Sequence, residues 1–210
     1  MIQVKNAVIC DGTGKEPFSG ELLIDGEKLA EVSPIPFGEL DAEVLDARGM
    51  AVTPGFIDAH RHCDLAALYD PEFGRLELAQ GITTAVMGNC GLAPAPCTEE
   101  YRDRLYDFLE PCLGTAPKNS FFPLVSEFFR ALETRRYPLN LGVLGATGAI
   151  TAASKGFDNV PFDRKSRHRA EIYVKDAMEA GALGLSCGIM YTPESVSYTH
   201  LRAHETGAYL

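Results

Sequence analysis

The sequence predicts an α/β protein in which a small β domain precedes a series of parallel βα units. Two observations carry this prediction. Residues 1–53 contain short stretches of alternating apolar and polar residues separated by glycine-rich turns, a pattern typical of short antiparallel strands. From residue 54 onward, apolar runs alternate with segments whose apolar residues recur at helical spacing, a pattern typical of a parallel sheet packed against helices.

The first part of the chain contains three candidate strands. They cover residues 4–10, 20–25 and 29–32, and turn-forming residues lie between them at 11–14 and at Gly26. We therefore expect a small sheet of antiparallel strands within residues 1–53.

The second part begins with an apolar run at residues 50–58, which we expect to form one strand buried on both faces. Further strands are predicted at residues 82–87, 139–144 and 182–189. Helices are predicted around residues 125–132 and 170–178, where apolar side chains are spaced i, i+3, i+4. The chain from residue 54 to residue 195 is therefore predicted to form about four βα units.

The composition is that of a folded, acidic protein. Hydrophobic residues make up 46% of the chain and charged residues 23%, which is enough apolar material for a core and too little charge for whole-chain disorder. The 19 basic and 29 acidic residues give a net charge of −10, which repels phosphate backbones and anionic lipids. We expect neither nucleic acid nor a membrane as partner. Because no apolar run approaches the roughly 18 residues of a membrane span and the first ten residues do not resemble a signal peptide, we expect a cytoplasmic protein. The six cysteines show no disulfide framework spacing, so we expect free thiols.

Two histidines, His60 and His62, follow the first apolar run directly. Residues i and i+2 of a strand project to the same face, so both imidazoles can reach one metal ion. The carboxyl ends of strands are also where barrel folds assemble their active sites. An isolated His-x-His is more often two unrelated histidines, but the apolar strand that leads into this pair favours a metal site.

Cys90 follows the next predicted strand and would lie at the same edge of the sheet as the histidines. A thiolate combined with imidazoles selects zinc over magnesium or calcium. A lone cysteine after a strand is more often a small buried hydrophobic residue. Both interpretations stay open on this residue alone.

Three segments, at residues 54–64, 78–84 and 88–96, resemble the amidohydrolase superfamily and, within it, the N-acyl-D-amino-acid deacylases, or D-aminoacylases. The stretches at 6–14, 20–24 and 181–193 are similar to the same family, so the resemblance covers residues 1–194. It implies that residues 54–195 are the first half of a TIM-like (β/α)8 metallo-hydrolase barrel, preceded by a small β domain at 1–53.

The resemblance implies a hydrolase of linear amide bonds that uses one or two zinc ions and acts on small N-acyl-D-amino acids. His60 and His62 would ligate one metal position, and Cys90 would bridge to the other position or hold it. Tyr191 would lie beside the substrate. Zinc in such enzymes lowers the pKa of water towards about 7 and polarises the amide carbonyl. No catalytic residue is assigned in this chain, because the family's general acid–base carboxylate is expected beyond it.

The last fifteen residues, 196–210, do not fit this pattern. Residues 199–202 resemble a metal-binding motif of the family, but the six residues between Pro193 and His200 are too few for the crossover that a parallel strand requires. Residues 196–210 instead resemble the translation of a transposase-type sequencing adapter. We therefore expect a non-native tail in which His200 and His204 are not ligands.

Two other functions stay open. A cyclic amidase of the dihydroorotase or hydantoinase type generally carries a carboxylated lysine on its fourth strand, and residues 182–190 contain no lysine. The other alternative is a truncated product without catalytic function, and we expect the 210-residue chain by itself to be inactive.

Overall fold

The computed structural model describes residues 1–158 and 160–195, which form two compact units. The first unit is Met1–Gly55, and the second begins at Phe56. Residues 196–210, with His200, His204 and the expected adapter-like tail, lie outside the described residues.

The first unit is built on a five-stranded sheet. Its strands are β1 (Ile2–Ile9), β2 (Phe18–Asp25), β3 (Lys28–Ser33), β4 (Glu43–Asp46) and β5 (Ala51–Val52). Apolar side chains of this sheet, with Val4, Ile9 and Leu22 among them, form a small core. All three predicted strands of this region are present.

The expectation of antiparallel strands alone is wrong for this unit. β1 pairs antiparallel with β2, and β2 with β3, but β4 and β5 both run parallel to β1. The reason is the connection at residues 34–42, which leads from β3 at one edge to the far side of β1. A return connection of this kind lets β4 run in the same direction as β1.

The second unit contains two groups of parallel strands. β6 (Phe56–Asp58), β7 (Ile82–Met87) and β8 (Asn140–Val143) form one sheet in that order. A shorter pair follows, in which β9 (Gly145–Ala146) pairs with β10 (Leu185–Ser186). Every strand pairing described in this unit is parallel, as the alternating sequence pattern predicts.

Helices separate these strands. They are α1 (Asp64–Tyr69), α2 (Arg75–Ala79), α3 (Arg102–Leu113), α4 (Val125–Glu133), α5 (Thr147–Lys155) and α6 (Arg164–Glu179). The two helices predicted from periodicity are α4 and α6. Phe128 of α4 and Ala177 of α6 are buried with Met87 and Val143 in the main core of the unit. Among the described helices, none combines the length and the apolar character that a membrane crossing needs.

The strand predicted at residues 50–58 is wrong in extent and in burial. It is divided into β5 and β6 because residues 53–55 include Pro54, which has no backbone N–H to donate to a ladder. Phe56 and Ile57 are 59% and 66% exposed, since β6 pairs only with β7 among the described strands. The strand predicted at 182–189 is likewise shorter, because Gly184 and Gly188 flank the two residues of β10.

Candidate metal centre

The structure brings together the three side chains that the sequence singled out as metal ligands. His60 Nε2 lies 3.2 Å from Cys90 Sγ, and the rings of His60 and His62 are 5.4 Å apart between centroids. One ligand atom of each residue lies within 4.8 Å of the others. The cluster is formed where β6 and β7, neighbouring parallel strands, both end.

The direction of the two histidines follows from the residue between them. The backbone N–H of Arg61 donates to the Val86 carbonyl at 3.1 Å, so the chain still follows β7 after β6 has ended. The Arg61 guanidinium forms ion pairs with Asp58 and with the buried Glu77. Because alternate residues of an extended chain project to opposite sides, this anchoring of Arg61 leaves His60 and His62 together on the other side.

Cys90 lies in a tight turn at residues 88–91, which we call the cysteine turn. Cys90 itself has a φ of 57°, a left-handed conformation that is uncommon for a residue with a side chain. Gly88 precedes it with a φ of 77°, and a Cβ atom there would overlap the carbonyl oxygen of Leu144. The Asn89 amide donates to the Val86 carbonyl at 2.8 Å and ties the turn to β7. This backbone directs the Cys90 thiol towards His60.

Tyr191, predicted to contact substrate, lies beside the cysteine turn. Its hydroxyl donates to the Cys90 carbonyl oxygen, and its ring packs against Phe108 at 6.0 Å between centroids. Burial and the neighbouring Cys90 raise the pKa of the Tyr191 hydroxyl to about 12. Tyr191 is therefore a neutral hydrogen-bond donor near pH 7, and its role towards substrate stays a prediction.

The surroundings of His62 favour a neutral imidazole. Burial lowers the pKa of His62, and the nearby His60 lowers it further. His62 Nδ1 is buried and has no hydrogen-bond partner among the described residues. Neutral imidazole is the form that binds a metal ion. Zinc bonds of about 2.0–2.3 Å in tetrahedral directions place ligand atoms about 3.5 Å apart, close to the 3.2 Å found between His60 and Cys90. The cluster therefore fits a zinc ion.

Two buried carboxyl groups of this region were missed by the sequence predictions. Asp64 is fully buried, and burial raises its pKa to about 7, although the backbone N–H groups of Asp64 and Gly88 oppose part of that rise. Glu194 accepts hydrogen bonds from the Gly188 backbone N–H at 2.6 Å and from the Thr147 hydroxyl, and burial raises its pKa. Asp64 had one signal, its position two residues after His62. No feature of the sequence pointed to Glu194, because its burial depends on partners in other segments.

The chain is similar in sequence to proteins of known activity. The sequence model described as the amidohydrolase family matches residues 43–107. An N-acyl-D-glutamate deacylase of Alcaligenes xylosoxydans xylosoxydans is 32% identical over 196 residues, and an N-acyl-D-aspartate deacylase of the same organism is 31% identical over 198 residues. These alignments cover 92% and 93% of this chain but 38% of each relative. The chain thus spans about two fifths of the length of the relatives it matches.

Solved structures show the same relationship. An N-acyl-D-glutamate deacylase from Bordetella bronchiseptica, in complex with zinc and a phosphonate inhibitor, matches with a TM-score of 0.78 and 29% identity over 93% of this chain and 40% of its own. A D-aminoacylase studied for its binuclear metal centre matches with a TM-score of 0.80 and 25% identity over 94% of this chain and 40% of its own. The similarity therefore extends through both units of the chain.

Proposed function

Because this chain belongs to the amidohydrolase family, as a homologue of its N-acyl-D-amino-acid deacylases, we propose that it carries the first metal-binding strands of a zinc-dependent hydrolase of N-acyl-D-amino acids. The observation that carries the proposal is the cluster of His60, His62 and Cys90 at the ends of two neighbouring parallel strands. On this proposal residues 54–195 form the first half of a TIM-like barrel, and the small β domain at 1–53 precedes it. The activity belongs to a protein of the relatives' full length.

The donor set supports zinc as the metal. Two imidazoles and one thiolate suit zinc better than magnesium or calcium, and the Bordetella bronchiseptica relative is described in complex with zinc. His60 and His62 would hold one ion, and Cys90 would share it or bridge to a second. When bound, zinc lowers the pKa of water and polarises an amide carbonyl, which is the chemistry that amide hydrolysis requires.

The protein's own residues prepare this site in three ways. The ion pairs of Arg61 with Asp58 and Glu77 fix the direction of the two histidines. Burial and the nearby His60 lower the pKa of His62, which favours the neutral ring that binds a metal ion. Tyr191 places a neutral hydroxyl beside Cys90, where it would face a small N-acyl amino acid substrate.

The experiment that tests this function is an amide hydrolysis assay with zinc supplied. N-acetyl-D-glutamate, N-acetyl-D-aspartate and their L enantiomers would be offered to a protein of the relatives' full length that contains this sequence and, in parallel, to the 210-residue chain. We expect the full-length protein to release free amino acid from a D substrate and the 210-residue chain to release none. His60→Ala should abolish release, whereas Cys10→Ser, which changes a thiol of the first unit, should not. Equal release from the L enantiomers, or release unaffected by chelation, would refute the proposal.

A further inference from the structure

We propose that Ser186 is a positioning residue for Cys90, in that its single hydroxyl ties together the two ends of the cysteine turn and so fixes where the thiol lies. The inference rests on the proposed metal centre and deepens it. It assigns a function to β10, the short strand that supplies none of the three ligands.

The Ser186 hydroxyl joins two backbone groups of the same turn. The Ser186 hydroxyl donates to the carbonyl oxygen of Gly88, at the start of the cysteine turn. It also accepts from the backbone N–H of Gly91, at the end of the turn, at 3.0 Å. The hydroxyl thus uses its donor and an acceptor position on the two residues that flank Asn89 and Cys90.

Ser186 is itself held in place by the sheet. In β10, Ser186 pairs with Ala146 of the parallel strand β9, and Leu185 pairs with Gly145. The Ser186 carbonyl oxygen also accepts from the hydroxyl of Thr147, at the start of α5. A hydroxyl on a fixed backbone can impose a conformation on a partner, whereas one on a free loop would follow it.

The cysteine turn needs such an external partner. Gly88, Cys90 and Gly91 all have positive φ angles, of 77°, 57° and 68°. A left-handed conformation at a residue with a side chain persists only where the surrounding structure holds it. Asn89 holds the turn to β7 through the Val86 carbonyl, and the Tyr191 hydroxyl donates to the Cys90 carbonyl oxygen. Of the side chains that the structure describes, Ser186 alone bonds to both ends of the turn, from the side of β10.

Loss of the Ser186 hydroxyl should therefore displace the Cys90 thiol. Without Ser186 Oγ, the Gly88 carbonyl and the Gly91 N–H lose a partner, and the turn can relax towards conformations that Cys90 prefers. The thiol would then leave its place 3.2 Å from His60 Nε2. Removing a group that orients a metal ligand typically weakens metal binding roughly 10–100-fold.

Cobalt(II) titration of the 210-residue chain tests the inference, because a thiolate bound to Co²⁺ gives a sulfur-to-cobalt charge-transfer band. We expect the unchanged chain to show the band and Cys90→Ser to lack it. Ser186→Ala should bind Co²⁺ roughly 10–100-fold more weakly and with a reduced band. Ser186→Thr, which keeps the hydroxyl, should retain both. Ser120→Ala is the matched control, because Ser120 is a buried serine whose hydroxyl bonds to Tyr69 and not to the cysteine turn.

The outcomes separate the two proposals. Absence of a sulfur band in the unchanged chain would remove the metal centre, and the inference with it. A normal band and affinity in Ser186→Ala would overturn the inference and leave the metal centre standing. Far-ultraviolet circular dichroism shows whether Ser186→Ala is folded. If Ser186→Ala does not fold, the Ser186→Thr variant is the test. A folded Ser186→Thr variant that binds Co²⁺ tenfold more weakly, or that shows no sulfur band, contradicts the inference.

Discussion

Single residues determine the direction of the candidate metal ligands, and the sequence predicts only some of these residues. The common direction of His60 and His62 follows from the two-residue repeat of an extended chain, so it could be predicted. The left-handed conformation of Cys90 could not, because Ser186, which accepts from the Gly91 N–H of the same turn, lies 95 residues beyond Gly91 in the sequence. Local pattern therefore singled out His60 and His62 as candidate ligands and left Cys90 open, while long-range contacts fix the geometry of the cluster.

Gly88 should tolerate a side chain poorly. Gly88→Ala would add the strain of a positive φ and would also force a Cβ atom against the Leu144 carbonyl. Gly181→Ala is the control, because Gly181 has a φ of 102° and the nearest atom to its added Cβ is 4.0 Å away. Strain alone costs about 1–3 kcal/mol in either variant, and we expect a clearly larger loss in Gly88→Ala.

Urea denaturation of the two glycine variants measures this difference as a change in the free energy of unfolding. Equal losses for Gly88→Ala and Gly181→Ala would show that the cysteine turn moves away from Leu144 at no cost, contrary to the tight packing described above.

Individual helices and strands were predicted from local pattern with different success. α4 and α6 were predicted because their apolar side chains repeat at helical spacing, and β7 was predicted at the residues it occupies. The extents of β6 and β10 were overestimated. The predicted bounds followed the length of the apolar runs. In the structure, Pro54 and the glycines around β10 limit the length over which the strands form hydrogen bonds.

The start of α6 should show a pH-dependent contribution to stability. The Asp163 side chain caps the helix by accepting from the Ser166 backbone N–H at 2.7 Å, and this hydrogen bond and the one from the Ser166 hydroxyl lower the pKa of Asp163 below its usual 3.8. A carboxyl with a lowered pKa stabilises the fold above its usual pKa and loses that contribution as the pH falls through the lowered value.

Asp163→Ala should therefore lower the melting temperature by about 2–4 °C at pH 7, and its difference from the unchanged chain should shrink below about pH 4. Asp163→Asn, which can cap without titrating, should stay close to the unchanged chain at pH 7. Thermal unfolding at several pH values checks both statements. A difference between Asp163→Ala and the unchanged chain that is the same at every pH would contradict this account of the cap.

At the scale of the whole molecule, the sequence predicted the α/β class, and its resemblance to amidohydrolases is confirmed by the comparisons. The parallel placement of β4 and β5 beside β1 was not predictable, because the course of the connection at 34–42 leaves no periodic signal. The exposure of Phe56 and Ile57 was also missed, since an apolar sequence does not tell whether both faces of its strand are covered. Topology and burial depend on partners distant in the sequence.

The central claim is that His60, His62 and Cys90 form one metal centre, with Cys90 bound to the ion of the two histidines or bridging it to a second ion. Zinc K-edge X-ray absorption on the purified 210-residue chain with one equivalent of zinc measures this directly. We expect nitrogen or oxygen neighbours at about 2.0–2.1 Å and a sulfur neighbour at about 2.3 Å. The sulfur should disappear in Cys90→Ser and persist in Cys10→Ser. A spectrum without sulfur, or a sulfur neighbour that survives Cys90→Ser, would contradict the claim.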